Sequence, residues 1–239
     1  MNNLTLYCNC FQKKLNLHTQ FNQRNLMCGA VNLDPNYRAE LSNKNFLFDD
    51  TGDNVSHLNP YIGDLTGLYW IWKNTSDEFV GTNQWRRFYD DTTVQNTAVD
   101  EKALYVSSPY TFSDQNIYEQ FVWAHSELGL NIVKEAGRMR KIDLDPVYID
   151  KLKTIHFISP ANMFFAHRPL FDKLCTVLFE IIFELYEGTK YTLPFIQESR
   201  DKRMLAFLAE RILNIIYIEK NYYLGTEYNI VSMPWRHHD

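Results

Sequence analysis

Strand-like and helix-like segments alternate through the first 85 residues of this chain, and this order excludes most other fold classes. Apolar runs at residues 4–9, 26–31 and 78–82 are typical of buried strands, and residues 63–73 repeat apolar side chains at helical spacing. Strands that alternate with helices favour a mostly parallel sheet with right-handed crossovers. The sequence therefore predicts an α/β fold in which helices flank a mostly parallel central sheet.

The second half of the chain is predicted to be mainly helical. Residues 168–186 and 202–218 carry the two longest apolar stripes, and Gly188 is the expected stop of the first. A further helix is expected over residues 115–128, with Asp114 as its N-cap. Since 239 residues suffice for one sizeable core, we expect a single domain with a helical C-terminal part.

Two stretches of the first half have weaker patterns. Residues 12–24 are polar and compatible with a helix. Residues 32–61 are rich in Asn, Asp, Gly and Pro, and only residues 45–48 in them look like a strand. Because loops of this length are usually functional or disordered, we expect residues 32–61 to contribute to a site.

Composition and charge exclude several classes of protein. The net charge of −5 lacks the basic excess of a nucleic-acid-binding protein, and 45% hydrophobic residues exclude a disordered chain. We expect no signal peptide and no transmembrane segment, since no apolar run is long enough. The four cysteines are expected to be buried thiols rather than disulfides or a metal pair. These features predict a cytoplasmic protein.

Three polar clusters follow the ends of predicted strands, at residues 9–10, 49–54 and 84–87. Ligands of open α/β sheets bind outside the carboxyl ends of the strands, so we expect the three clusters to converge on one crevice. The aromatic content of 15% favours a site that stacks flat rings. The aromatic residues best placed for this are Trp85, Tyr89, Tyr61 and Trp235.

The acidic cluster, residues 49–54, allows two interpretations. A calcium loop fits poorly because Leu58 stands where a bidentate Glu is needed. The carboxylates could instead hold ribose hydroxyls, with Gly52 permitting close approach of the backbone. The alternative is a surface turn rich in Asp and Asn.

Charged pairs near predicted strands and helices also allow alternatives. Arg86 and Arg87 follow a strand and could bind phosphate oxygens through their forked donors, or could pair internally with Asp90 or Asp91. Glu210-Arg211 lies within a long helix and could be either an exposed ion pair or a buried functional pair. The lone histidines are expected to be structural, and no phosphate-binding glycine loop or hydrolase motif is present.

The most specific signal is the run Asp-Asp-Thr-Gly-Asp-Asn at residues 49–54, followed by Tyr-Trp-Ile-Trp-Lys-Asn at residues 69–74. Further runs are Asn59-Pro60, Phe79-Val80-Gly81, Arg86-Arg87, Glu119-Gln120 with His125, Asn162-Met163-Phe164, Phe171-Asp172 and Leu208-Ala209-Glu210-Arg211. Over about residues 5–220, this order of motifs resembles the family named domain of unknown function 4422.

The resemblance implies a glycosyltransferase of the GT-A fold, of the kind that builds capsule, O-antigen and related polysaccharides. Such an enzyme moves a sugar from a nucleotide diphosphate sugar, expected to be UDP-linked, to a glycan or lipid-linked glycan acceptor. Residues 1–113 are then the expected nucleotide-sugar-binding half and residues 114–239 the acceptor-binding half. Peripheral contact with the inner face of a membrane is compatible with this expectation.

Site residues are assigned on this basis. The nucleotide-sugar-binding candidates are Asn9, Cys10, Asp49, Asp50, Asp53, Asn54, Lys73, Gln84, Trp85, Arg86 and Arg87. The acceptor-binding candidates are Asn162, His125 and Arg211. An inverting transfer needs a carboxylate base, for which Glu210 is the first candidate and Asp172 and Glu119 are rivals.

The predicted strand at residues 78–82 is not followed by the Asp-x-Asp that commonly holds a divalent ion in GT-A enzymes. Two options follow. Arg86 or Arg87 neutralises the diphosphate directly, which is the option we favour. Alternatively Asp90, Asp91 or the acidic loop, with His237 or His238, holds Mn²⁺ or Mg²⁺.

The chain departs from the family pattern at Gln84-Trp85 and at Asp64, where the family usually has His-Tyr and Glu. These departures keep a second function open, a non-catalytic module that binds nucleotides or glycans with the same fold. A protein-interaction domain is a third hypothesis.

Overall fold

A computed structural model describes residues 3–11, 22–125, 127–142 and 144–237 of the chain. The strands are β1 (Leu4–Cys10), β2 (Gln23–Met27), β3 (Leu47–Phe48), β4 (Phe79–Gln84), β5 (Arg87–Tyr89), β6 (Ala103–Ser107), β7 (Tyr110–Thr111), β8 (Phe157–Ile158), β9 (Phe164–His167), β10 (Asn229–Met233) and β11 (Trp235–His237). Short β7 and β8 pair with each other, and the other described strands form one sheet.

Helices cover the sheet and form most of the second half. They are α1 (Pro35–Asn43), α2 (Asn59–Ile62), α3 (Leu65–Asn74), α4 (Asp91–Asn96), α5 (Ile117–Ala124), α6 (Glu127–Met139), α7 (Asp150–Leu152), α8 (Arg168–Thr189), α9 (Ser199–Lys202), α10 (Met204–Ile218) and α11 (Lys220–Tyr223). A π-helical turn, Asp145–Ile149, precedes α7. No described helix is long and apolar enough to cross a membrane.

The central sheet has the strand order β10-β6-β9-β4-β1-β2-β3. Strands β1 to β4 are parallel to one another, and β6 and β10 run in the same direction, because β9 is antiparallel to both β4 and β6. At the carboxyl end of β4 the chain turns back into β5, which pairs antiparallel with β4 and with β11. The predicted α/β class with a mostly parallel sheet is confirmed.

Alternation along the strands separates the cores on the two faces of the sheet. Phe164 and Ala166 of β9 pack into the large core under α3, α8 and α10, whereas Phe165 between them packs into a second core with Leu4 and Phe79. Successive side chains of a strand point to opposite faces, so the order of residues in β9 alone assigns each side chain to its core.

The four cysteines, Cys8, Cys10, Cys28 and Cys175, are free and buried, as expected. Burial raises the pKa of the Cys28 and Cys175 thiols. They are therefore apolar packing groups rather than reactive thiolates.

Local expectations were wrong at several boundaries. The second strand is Gln23–Met27 rather than residues 26–31, and it ends early because the chain turns at Gly29 into a short 3₁₀ helix, Ala30–Asn32. The predicted loop 32–61 contains α1, which begins at a proline and is capped by the Asp34 carboxylate. The predicted helix 12–24 lies mostly outside the described residues.

Two helix ends also differ from the sequence prediction. Helix α5 begins after Asn116 rather than Asp114, because Asn116 and Glu119 form a reciprocal capping box. Helix α8 continues through Gly188 to Thr189, since Gly188 packs against the backbone of Ala136 in α6. A Cβ at this position would stand 2.8 Å from the Ala136 carbonyl oxygen, so the glycine serves helix packing instead of helix termination.

Candidate active site

A cavity of about 690 Å³ opens beyond the carboxyl end of β4, which is the edge of a parallel sheet where ligands bind. The segment after β4, the turn before β9, helix α5 and the first half of α10 form its walls. Its polar lining residues are Asp64, Gln84, Arg86, Arg87, Gln120, His125, Asn162, Arg203, Glu210, Arg211 and His237.

Three arginines give this cavity positive charge. Arg86 and Arg87 follow β4, Arg203 precedes α10, and none of them forms an ion pair within the described part of the chain. The Arg86 guanidinium lies 4.1 Å from the centre of the Trp85 ring, and that of Arg203 lies 5.9 Å from the Phe11 ring. Stacking on aromatic faces leaves the guanidinium N–H groups to donate to a ligand.

A carboxylate, Asp64, stands among these cations at the start of α3. Its Oδ2 accepts hydrogen bonds from Gln84 Nε2 at 2.6 Å and from Asn162 Nδ2 at 3.2 Å. Burial raises the pKa of Asp64, although these two hydrogen bonds and the charge of Arg203 oppose the shift. The side chain is therefore held in one orientation, in a setting that makes its carboxylate more basic than an exposed aspartate.

The turn before β9 brings Asn162 to the cavity in a strained conformation. Ala161 and Asn162 both have positive φ, 75° and 52°, which costs free energy for residues other than glycine. Thr82 Oγ1 donates to the Asn162 carbonyl at 2.8 Å, and Gln84 Nε2 donates to that of Ala161 at 3.0 Å. Asn214 of α10 holds the same turn at Ser159 through two hydrogen bonds. Hydrogen bonds from β4 and α10 thus hold Ala161 and Asn162 in this backbone conformation.

Glu210 and Arg211 of α10 form a buried pair beside the same turn. Glu210 Oε1 accepts the Ala161 backbone N–H at 2.5 Å, and its Oε2 pairs with the Arg211 guanidinium. Arg211 is 2% exposed and also donates to Gln120 Oε1 at 2.6 Å. The pair is therefore buried rather than an exposed surface ion pair.

With this geometry established, comparison with known proteins places the chain. A family model described as Domain of unknown function (DUF4422) matches residues 27–222, which is most of the chain. The chain belongs to the DUF4422 family. The resemblance inferred from its motifs is confirmed at this level. No curated protein matches the sequence.

Among solved structures, the chain is similar to the apo form of WbbM, a bifunctional glycosyltransferase. The TM-score is 0.69 at 19% sequence identity, and the match covers 99% of this chain but 45% of the WbbM chain. The present chain therefore spans less than half the length of WbbM. At this identity, the similarity shows that the two proteins share a fold.

The acidic cluster of this DUF4422 member, residues 49–54, makes structural contacts within the fold. Asp49 is completely buried and accepts hydrogen bonds from the backbone N–H groups of Gly29 and Ala30, at 2.8 and 2.9 Å, and from Ser56 Oγ at 2.5 Å. The two backbone bonds tie the loop to the segment after β2, and the Ser56 bond ties Asp49 to the turn Ser56–Leu58. The Asp49 carboxylate thus has no free acceptor directed at a ligand.

The neighbouring residues of the run are also occupied by the fold. Asp50 forms a two-pronged ion pair with Arg38 of α1, at 2.6 and 2.9 Å. Asp53 exchanges backbone hydrogen bonds with the Asn74 side chain at the far end of α3, and Asn54 bonds within the turn. None of these residues lines the cavity. The predicted convergence of three clusters on one crevice is therefore wrong for the acidic loop.

Four other candidates lie away from the cavity. Asn9 and Cys10 are buried, and Asn9 Nδ2 donates to the Asp64 carbonyl at 3.5 Å, so Asn9 supports the site from behind. Lys73 lies over the Trp72 ring at 3.3 Å, near the end of α3 remote from Asp64. Asp172 pairs with Arg168, which is bonded to the residues before β4. This places Asp172 at the opposite end of β4 from the cavity, which removes it as a candidate base.

The divalent-ion candidates do not form a metal site. Asp90 caps α4 through the Thr93 N–H at 3.0 Å and pairs with Arg236 at 2.5 Å, and these contacts lower the pKa of its carboxyl. Asp91, the first residue of α4, does not line the cavity, whereas His237 does. The described residues contain no cluster of three or more metal-binding side chains, and His238 lies outside them. The candidates that the structure describes are therefore not gathered into one cluster of metal-binding side chains.

The remaining candidates divide between the cavity and the scaffold. His125 lines the cavity and stacks on Phe207 at 3.8 Å, and Trp85 and Trp235 form aromatic walls. Glu119 belongs to the capping box of α5 and is removed as a base. Tyr89 is fully buried, and Tyr61 packs against Tyr186 outside the cavity lining.

The cavity lining also includes residues that the sequence analysis did not assign to the site, among them Phe11, Asp64, Gln120, Arg203 and Phe207. For Asp64 the sequence holds one signal, an acidic residue directly before a helix at a position where the family usually has Glu. For Arg203 the signal is its spacing: it stands seven residues before Glu210 and so shares a face with it, and both residues line the cavity.

Proposed function

We propose that this protein is a glycosyltransferase that moves a sugar from a UDP-sugar to a glycan or lipid-linked glycan acceptor. The cluster of Arg86, Arg87 and Arg203, which has no carboxylate ion-pair partner among the described residues, carries this proposal. Guanidinium groups bind phosphate oxygens through paired charge-assisted hydrogen bonds, and Phe11 and Trp85 offer flat faces for a base. The fold shared with WbbM, a bifunctional glycosyltransferase, supports sugar transfer as the reaction.

The arginines also supply what the reaction needs. When the bond between the sugar and the diphosphate breaks, negative charge develops on the departing phosphate oxygen. Fixed cations at that position stabilise the charge in the transition state. Since Arg86 and Arg87 occupy the place where GT-A enzymes commonly hold a metal, we propose that they act without a divalent ion.

Binding of UDP tests the proposal, measured by calorimetry on the wild-type protein and on single Arg86→Ala, Arg87→Ala and Arg203→Ala variants. A hydrogen bond to a charged group contributes roughly 1.5–3 kcal/mol, so we expect each variant to bind UDP about 10–150-fold more weakly. Arg140→Ala is the matched control, because Arg140 forms an exposed ion pair with Glu184 away from the cavity. Equal affinity in all variants would contradict the assignment.

Catalysis is tested by UDP release from a panel of UDP-sugars, with EDTA and with added Mn²⁺ or Mg²⁺. We expect release that EDTA does not abolish. Binding of UDP without any release would favour the non-catalytic module instead. Release that strictly requires Mn²⁺ would contradict the metal-free arrangement.

A further inference from the structure

Two carboxylates reach the cavity, and their surroundings differ. Both oxygens of Glu210 are engaged, one by the Ala161 N–H and the other by the buried Arg211 guanidinium. A carboxylate that neutralises a buried cation loses that interaction when it accepts a proton. Glu210, the first candidate from the sequence, is therefore placed to hold Arg211 and the strained turn.

Asp64 is arranged in the opposite way. Both of its side-chain hydrogen bonds, from Gln84 and Asn162, go to the same oxygen, Oδ2. Within the described residues, Oδ1 has no hydrogen-bond donor, and Asp64 lines the cavity. One oxygen is thus anchored while the other remains available to a hydroxyl group of a substrate.

The support for Asp64 comes from three separate parts of the fold. Gln84 is the last residue of β4, Asn162 belongs to the strained turn, and the Asn9 side chain holds the Asp64 carbonyl from β1. Asn162 is 8% exposed, and its own Oδ1 has no hydrogen-bond partner in the structure. A buried amide oxygen left without a donor beside Asp64 fits a site that receives a hydroxyl-bearing ligand.

We propose that Asp64, and not Glu210, is the general base that accepts the proton of the acceptor hydroxyl. This inference rests on the glycosyltransferase function proposed above. The acceptor O–H proton passes to Asp64 Oδ1 while the acceptor oxygen bonds to the anomeric carbon of the donor sugar. The bond from that carbon to the phosphate oxygen breaks, and its electron pair leaves with UDP. The displacement occurs in one step and inverts the anomeric centre.

The charges around Asp64 suit this role. Arg203, directly before α10, and Glu210 of α10 act on it with opposite signs, and Gln84 and Asn162 contribute neutral donors. Burial has the largest effect and raises the pKa of the Asp64 carboxyl. A base whose pKa lies nearer to neutral pH accepts a proton more readily in the transition state.

The experiment compares wild type, Asp64→Asn, Asp64→Glu and Glu210→Gln, with Asp150→Asn as control because Asp150 is exposed and remote from the cavity. For each protein we measure the Kd of UDP, the rate of UDP release from a UDP-sugar with water as acceptor, the pH profile of that rate, and Tm. Loss of a general base lowers the rate about 10²–10⁴-fold.

We expect Asp64→Asn to lose rate by that factor while binding UDP within threefold of wild type. Its Tm at neutral pH should be unchanged or higher, because a desolvated charge has been removed. The acid limb of the wild-type pH profile should disappear in this variant. Glu210→Gln should instead lower Tm, since Arg211 loses its partner.

Three outcomes would overturn the assignment. A wild-type protein that releases UDP, combined with Asp64→Asn within threefold of its rate, removes Asp64 as the base. A UDP Kd raised tenfold or more in Asp64→Asn assigns the residue to donor binding. A wild-type protein that does not bind UDP, or binds it without release, refutes the proposed function itself and the role of Asp64 with it.

Discussion

At the scale of single residues, hydrogen-bond partners decide which of several similar side chains can act. The chain places carboxylates at Asp49, Asp64 and Glu210, and residue type alone does not separate them. Asp49 receives three donors and Glu210 holds a buried arginine, whereas Asp64 keeps one oxygen available. Availability of a lone pair, rather than acidity in general, therefore separates site residues from structural ones.

The strained turn allows a prediction at the same scale. Ala161 has φ of 75°, where an alanine pays roughly 1 kcal/mol that a glycine does not. Ala161→Gly should therefore leave the free energy of unfolding unchanged or raise it by up to about 1 kcal/mol, after the greater entropy of the unfolded chain is included. Urea denaturation monitored by circular dichroism measures the change.

The control is Ala166→Gly in β9, where the alanine is fully buried in regular strand conformation. This variant loses a packed methyl group and gains backbone entropy in the unfolded state, so it should be destabilised by about 1–2 kcal/mol. If Ala161→Gly were destabilised as much as Ala166→Gly, the turn would not be strained.

At the scale of elements, the acidic loop and α3 form one clamp. The Asn74 side chain at the end of α3 accepts the Asp53 N–H and donates to the Asp53 carbonyl, at 3.0 and 2.7 Å. Trp70 Nε1, one turn earlier, donates to the Thr51 carbonyl at 2.9 Å. The most specific sequence motif of the chain thus encodes the attachment of a loop to a helix.

Because these contacts lie away from the cavity, we expect a substitution in them to change stability without changing ligand binding. Gly52 has φ of 59°, and a Cβ there would stand 2.0 Å from Asn74 Oδ1. Gly52→Ala should lower the free energy of unfolding by about 1–3 kcal/mol and leave the Kd of UDP unchanged below the melting temperature. Urea denaturation and calorimetry measure the two quantities.

The double variant Gly52→Ala/Asn74→Ala provides the control for this mechanism. Removing the Asn74 side chain removes the atom that the new methyl group would strike, so the two changes should be less than additive. A weaker UDP affinity in Gly52→Ala, at unchanged stability, would indicate that the acidic loop contributes to UDP binding.

At the scale of the whole molecule, the two halves of the chain share one sheet. Strand β9 of the second half lies between β4 and β6 of the first, and β10 pairs with β6 on the outside. The cavity is likewise shared, since Arg86 and Asp64 belong to the first half and Asn162, Arg203 and Glu210 to the second. The two halves of the chain are therefore not separable units of structure.

This topology predicts that a fragment of residues 1–113 does not fold alone. Without β9, the hydrogen-bonding edges of β4 and β6 and the apolar faces beside them would be exposed to water. We expect low dispersion in its amide proton spectrum, whereas the full chain should unfold in one transition with coincident fluorescence and circular dichroism. A folded fragment that binds UDP would contradict this.

Much of the architecture was predictable because its causes are local. The apolar periods of residues 63–73, 168–186 and 202–218 predicted α3, α8 and α10, and the alternation of elements predicted the parallel sheet. Helix boundaries were predicted less well. The caps at Asn116 and Asp34 compete with neighbouring polar residues that are equally suitable in sequence.

The sequence by itself determined the fold class, the family and the presence of cavity residues at Gln84–Arg87 and at Glu210-Arg211. Only the tertiary structure decided which polar groups serve a ligand and which serve the fold. The reason is physical. A motif specifies residue types and spacing. Whether a side chain is available to a substrate depends on the hydrogen-bond partners that other segments supply, and these partners differ between Asp49 and Asp64.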